Sequence, residues 1–259
     1  MKGKSAPILA NRMMTTAPGY LPYEPQLQPA PWAEDIWTVN GPEVSYRLWG
    51  LILPCPTRMT IIRLPDGGLW VHSPVACPPD LIAAVEAIGR VTAIIAPNVF
   101  HYTHLADWAR AFPQATVYGL PGLAAKVPGI ALAALDGQAA APWLAAIDSH
   151  VVALGSFTEV VFLHRASRTM IVTDLMQNFE ATRIRNPLVR AVMVLGGATG
   201  PTGRPSIEIR LAALAHRKAL RGGVRQMLAW HPSGIILSHG ACYRTNAVAE
   251  IARAFGAAS

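Results

Sequence analysis

Apolar positions along this chain first recur in short runs broken by turn signals, and later recur at helical spacing. From Val44 onward "VSYRLWGLIL", "MTIIRL" and "LWVHS" predict strands, with "PDGG" at Pro65 to Gly68 as a hairpin turn. In "PPDLIAAVEAIG", Pro78 and Pro79 suit a first helical turn, and Leu81, Ile82, Val85 and Ile88 share a face until Gly89 ends it. "VTAIIA" predicts a buried strand, "THLADWARAF" a helix and "ATVYGL" another strand. After a proline- and alanine-rich connection, two strands are predicted over Thr158 to His164 and Thr169 to Thr173, joined by "RAS". "PSIEIRLAALAHRKAL" then places Ile207, Leu211, Leu214 and Leu220 near one helical face. "GIILS" predicts a last buried strand, and "TNAVAEIARAF" a last helix opened by a threonine cap. No period of 20 to 50 residues repeats, so these elements predict sheets covered by helices, in an α/β or α+β arrangement.

The first 42 residues read differently. Pro18, Pro22, Pro25, Pro29, Pro31 and Pro42 disfavour both helix and central strand, so residues 1–42 are expected to form a proline-rich arm ahead of a domain over 43–259.

With 52% hydrophobic and 14% charged residues over 259 positions, the chain has the composition of a compact protein. The longest weakly polar run, Gly129 to Ile147, is broken by Asp136 and Pro142, so no membrane span is predicted. The basic N-terminus lacks the apolar core of a secretory signal. Cys55, Cys77 and Cys242 are widely spaced, which indicates neither a disulfide framework nor a cysteine zinc site and fits the cytoplasm. A net charge of +7 draws anions to the surface, but the arginines are scattered without interleaved aromatics, so no nucleic-acid partner is expected. The expected partner is a small-molecule substrate or ligand, an anionic one included.

Three strand ends carry polar groups: "IIAPNVFHYTH", "MIVTDL" and "IILSHG". A strand fixes position while the loop beyond it leaves the side chain open, so His101, His104, Asp174 and His239 could converge. The plainer readings are polar pockets in which the histidines bond neighbouring carbonyls, and an Asp174 that caps a helix starting near Leu175. His72, His150, His164, His216 and His231 lack partners at ligand spacing and read as structural. His164 could also meet Arg165 and Arg168 through a bound anion. "LGGATGPTGRPS", Leu195 to Ser206, is neither a phosphate-binding loop nor a dinucleotide fingerprint, and reads as a loop beside a groove.

"LWVHSPV" at 69 to 75, "APNVFHYTHLADWARAFPQATVY" at 96 to 118, "TEVVFLHRASRTMIVTDLMQNF" at 158 to 179 and "GIILSHG" at 234 to 240 resemble the metallo-β-lactamase superfamily. They resemble in particular an uncharacterised branch, domain of unknown function 4336. The resemblance implies an α+β fold, a four-layer αββα metallo-β-lactamase-like sandwich with its groove at one edge of two sheets. It also makes Asp174 look like the metal-bridging aspartate and His239 like the last histidine ligand. The family's "T-H-x-H-x-D-H" loop fits in two registers. With "PN" at Pro97 and Asn98 in place of "TH", the ligand positions hold Phe100, Tyr102 and Thr103; shifted by one, His101 and His104 take the second and third histidine positions. The middle "G-H-T-x-G" aligns with "GSFTE" at Gly155 to Glu159, and the "D-x-G" with "SPV" at Ser73 to Val75.

What the resemblance then implies is a single zinc or iron ion at His101, His104, Asp174 and His239, with Asp174 and His101 catalytic and Asn98 or Tyr102 contacting an oxyanion. The matching activity is hydrolysis of an ester, thioester or lactone. The alternative is an inactive relative that binds a small anionic ligand or a protein partner.

Overall fold

A computed structural model describes residues 19–48, 50–136, 141–197 and 199–256. Among the described residues eleven strands form two stacked sheets, and six α-helices lie on the outer faces. The first sheet holds β1 (Ala30–Ala33), β2 (Ile36–Leu48), β3 (Leu51–Arg63), β4 (Leu69–His72), β5 (Val91–Ala96), β6 (Thr116–Gly119) and β7 (Leu132–Ala134), in that spatial order. It is antiparallel through β4 and parallel from β4 to β7. The second sheet runs β11 (Gly234–Leu237), β10 (Thr169–Val172), β9 (Phe157–His164) and β8 (Ile147–Leu154), with β10 and β11 parallel.

Side-chain alternation builds the layers. On β4 and β5, Trp70, Ala93 and Ile95 point between the sheets and meet Phe162, Ile171 and Ile236 of the second sheet. Leu69, Val71 and Ile94 point outward, under α1 (Pro79–Ile88) and α2 (Leu105–Ala111), where Leu81, Val85 and Trp108 pack. On the other side Val161, Met170, Val172 and Ile235 face α4 (Ile207–Ala215), α5 (Arg217–Ala229) and α6 (Ala247–Phe255). Each central strand is therefore apolar on both faces, the reading expected when helices cover a sheet. The order helix, sheet, sheet, helix is the αββα sandwich. Among the described residues no helix is long and apolar enough to cross a membrane.

Four expectations change. The body begins well before residue 43, because β1 and most of β2 lie within the proline-rich stretch. The prolines are accommodated: Pro31 lies on the edge strand β1, and Pro42 falls where the β2–β3 register shifts between Gly41 and Val44. Both are places where a missing backbone donor costs little. Tyr20 is buried against Phe179 and Ile184, so the chain from Gly19 packs on the domain, while residues 1–18 lie outside the described residues.

The helix expected across 205–220 is two helices that break at His216. The last helix has Asn246 at its N-cap, in a left-handed conformation without a capping side-chain bond, rather than a threonine cap. Finally, His164 bonds Ser167 while Arg165 pairs with Asp148 and Arg168 donates to the carbonyls of Trp230 and His231, so the three do not frame an anion.

Candidate metal centre

The carboxyl ends of β4, β5, β10 and β11 lead to Ser73, to the Asn98–His101 loop, to Asp174 and to His239, and these meet at one edge of the two sheets. His101 Nε2 lies 3.2 Å from Asp174 Oδ2, His239 Nε2 lies 3.2 Å from Asp174 Oδ1, and the two Nε2 atoms are 3.2 Å apart. Candidate ligand atoms of all three lie within 4.8 Å of one another. Among the described residues this is the one group of three or more His, Cys, Asp or Glu side chains close enough to share an ion.

The far nitrogen of each imidazole is anchored. His239 Nδ1 lies 2.8 Å from the Pro56 carbonyl, which can only accept, so Nδ1 carries the proton. When neutral, that ring presents the Nε2 lone pair to the centre. His101 Nδ1 lies 2.6 Å from Ser73 Oγ. Ser73 takes a φ of +54°, a rare conformation for serine that directs the hydroxyl at the ring, and strained backbone of this kind concentrates at functional sites. Lone pairs at 3.2 Å repel unless a proton or a cation lies between them.

Asp174 is held from behind. Asn98 Nδ2 donates to its Oδ2 at 2.8 Å, and Gln177 Nε2 donates to its Oδ1 at 3.2 Å. Burial alone would raise the Asp174 carboxyl, but the adjacent His101 and His239 outweigh it and hold the group well below the usual carboxylate range. Burial likewise opposes charge on His239, and its bond to Asp174 reverses the direction and raises it.

Beneath Asp174 lies Glu159, fully buried on β9. Its carboxylate accepts the backbone N–H groups of Thr173 at 2.8 Å, Asp174 at 2.7 Å and Leu175 at 3.1 Å, and receives the Asn98 amide at 3.3 Å. Burial and the nearby Asp174 charge push the Glu159 carboxyl up to about 7, against the pull of those three donors. The loop of His239 is tied down too. Arg58, buried on β3, donates to the carbonyls of Leu237 at 2.5 Å and Gly240 at 2.8 Å. Gly240 adopts φ +91° and passes so close to the Asn178 backbone that a Cβ would overlap its carbonyl, so only glycine fits after His239.

The six site residues read from the sequence do not all share one place. His101, Asp174 and His239 come together. His104 does not join them; it occupies the N-cap of α2, half-buried on the wall of the adjoining cavity. Asn98 is no oxyanion donor: it is fully buried, its amide nitrogen is spent on Asp174 and Glu159, and its oxygen accepts from Phe100 and His101 N–H. Tyr102 lines the cavity. No helix follows Asp174, so it caps none.

Sequence reasoning missed Glu159, Ser73, Arg58 and the Pro56 carbonyl. Glu159 alone left a signal, as the one acid in the mainly apolar strand "FTEVVFLH", where a buried charge demands partners.

The centre opens into a cavity of about 580 Å³ walled by β2, β3, α4 and a helix the sequence did not reveal, α3 (Pro187–Gly196).

Solved structures with this architecture include the flavodiiron protein from Giardia intestinalis, at 13% identity and TM-score 0.60 over 87% of this chain and 58% of that one. A metallo-β-lactamase from Pontibacter korlensis matches at 10% identity and TM-score 0.55, over 86% of this chain and 95% of that one. The putative diflavin flavoprotein A 5 fragment from Nostoc matches at 11% identity and TM-score 0.56, over 90% and 94%. At these identities the likeness is one of fold. No curated protein matches the sequence. The family described as Domain of unknown function (DUF4336) matches residues 34–185, more than half of the chain. This chain therefore belongs to the DUF4336 family, and its fold is like that of metallo-β-lactamases.

Proposed function

We propose that the protein is a hydrolase of an ester, thioester or lactone, working at a one-metal centre held by His101, Asp174 and His239. The observation that carries this reading is the meeting of two imidazole Nε2 atoms and a carboxylate, each oriented by a bond on its far side, at the inner end of a cavity. Outer bonds of that kind fix tautomer and direction in ligating histidines. Two nitrogens and one carboxylate suit zinc or iron and leave coordination positions free. A bound ion would supply Lewis acidity, polarising a carbonyl and lowering the pKa of water.

The protein's own groups have narrower tasks. Asp174 stays ionised and offsets the cation's charge, and Asn98 and Gln177 keep both its oxygens in place. Ser73 and Pro56 hold the rings at angles that leave Nε2 facing the cavity. Tyr102, on the cavity wall, is the group we assign to contact the substrate oxygen.

The test is turnover by tag-free protein loaded with zinc or ferrous iron, using p-nitrophenyl acetate, a phenyl thioacetate and γ-butyrolactone. Hydrolysis above buffer is expected with at least one of them, removed by chelator and lowered at least about 100-fold in Asp174→Ala. Loaded protein no faster than buffer on all three would overturn the reading and leave a ligand-binding role.

A further inference from the structure

The cavity that meets the metal centre is walled mainly by carbon. Phe179 stacks on His239 with ring centroids 6.2 Å apart and planes 14° from parallel, so the apolar wall starts beside the ligand itself. From Phe179 it continues through Leu53 and Met193, which pack with it in one cluster, and closes against Phe157 and Ile207. The charged groups on its lining are already engaged. Glu208 accepts the Tyr46 hydroxyl at 3.0 Å, and Lys126 donates to the Val99 carbonyl at 2.9 Å while lying over the rings of Phe100 and Tyr102. Among the described residues no arginine lines this cavity, although the chain has many.

A polyanionic headgroup would lose hydration here and find no guanidinium to replace it, whereas an alkyl chain gains by leaving water. We infer that the substrate of the proposed centre is a carbonyl compound carrying an unbranched apolar arm of medium length, with the carbonyl at His101, Asp174 and His239 and the chain along Phe179, Leu53 and Met193. This rests on the one-metal hydrolase reading for the carbonyl end alone. The arm depends only on the cavity, whose size is that of an ordinary small-ligand site.

The arm can be tested without turnover. Calorimetric titration of the whole protein with butanamide, hexanamide, octanamide and decanamide, which the centre is not expected to cleave within the assay, should show affinity rising roughly two- to fourfold per added methylene. Ile207→Glu puts a carboxylate into the lining at the first turn of α4, where a negative charge is compatible with the helix, and should flatten that rise. Met193→Trp should cut it short by filling space along the arm's path. A length-independent series, or one unchanged in both variants, would overturn the inference. The two readings fail separately. Length-dependent amide binding without any ester hydrolysis sinks the hydrolase and keeps the arm, whereas hydrolysis of acetate esters with no preference for longer acyl chains does the reverse.

Discussion

Replacing Glu159 with alanine is expected to lower the free energy of unfolding by about 3–5 kcal/mol, among the largest effects any single substitution should have in this protein. Three backbone N–H groups, those of Thr173, Asp174 and Leu175, converge on this one buried carboxylate at 2.7 to 3.1 Å. Alanine leaves all three without an acceptor in a place the fold has closed to water, and each such group costs about 1–3 kcal/mol before relaxation. The loss extends to Asn98, whose amide would keep only Asp174. Glu159→Gln retains an acceptor oxygen and should cost about half as much. Urea unfolding followed by far-ultraviolet circular dichroism measures both. An alanine variant within about 1 kcal/mol of the parent would show that the segment after β10 finds other partners.

Asp174→Ala should have its effect on metal rather than on folding, lowering affinity for zinc at least about 100-fold. Loss of an outer-shell partner alone typically costs 10–100-fold, and Asp174 is the sole carboxylate in the set. Asp107→Ala, which removes an exposed carboxylate paired with Arg110 on α2, serves as the control and should bind as the parent does. Competition against a chromophoric chelator reads both values. Equal affinity in the two variants would place the ion elsewhere.

How far the sequence discloses all this depends on what kind of signal each feature leaves. Strands buried on both faces, such as "VTAIIA" and "GIILS", announce themselves by continuous apolar runs, and they became β5 and β11. The edge strand β8 did not, because "IDSHVVAL" is half-exposed and its polar residues blur the pattern. Helix α3 was overlooked although Asn186 and Pro187 form a proper start, with the asparagine side chain accepting from Leu188 and Val189 N–H and Gly197 in the left-handed conformation at the end. The proline-rich segment misled because proline excludes central strands but not edges and bulges.

At the site, the three ligand candidates were legible because each lies in a polar stretch just beyond a buried apolar strand. What lies behind them was not. A backbone carbonyl at Pro56, a serine at +54° and a buried arginine 179 residues away from the carbonyl it holds arise only from tertiary proximity. Asn98 shows the limit of motif reasoning: the loop brings it to the site, but burial leaves its amide bonded to Asp174 and Glu159 rather than open to the cavity.

The central claim is that His101, Asp174 and His239 hold one metal ion, and the direct measurement is the metal content of protein purified without an affinity tag and dialysed against metal-free buffer. The account predicts about one equivalent of zinc or iron per chain, lost on Asp174→Ala and restored to chelator-stripped parent protein by adding the ion back. Protein that is folded, metal-free and unable to take up either ion at micromolar concentration would contradict it.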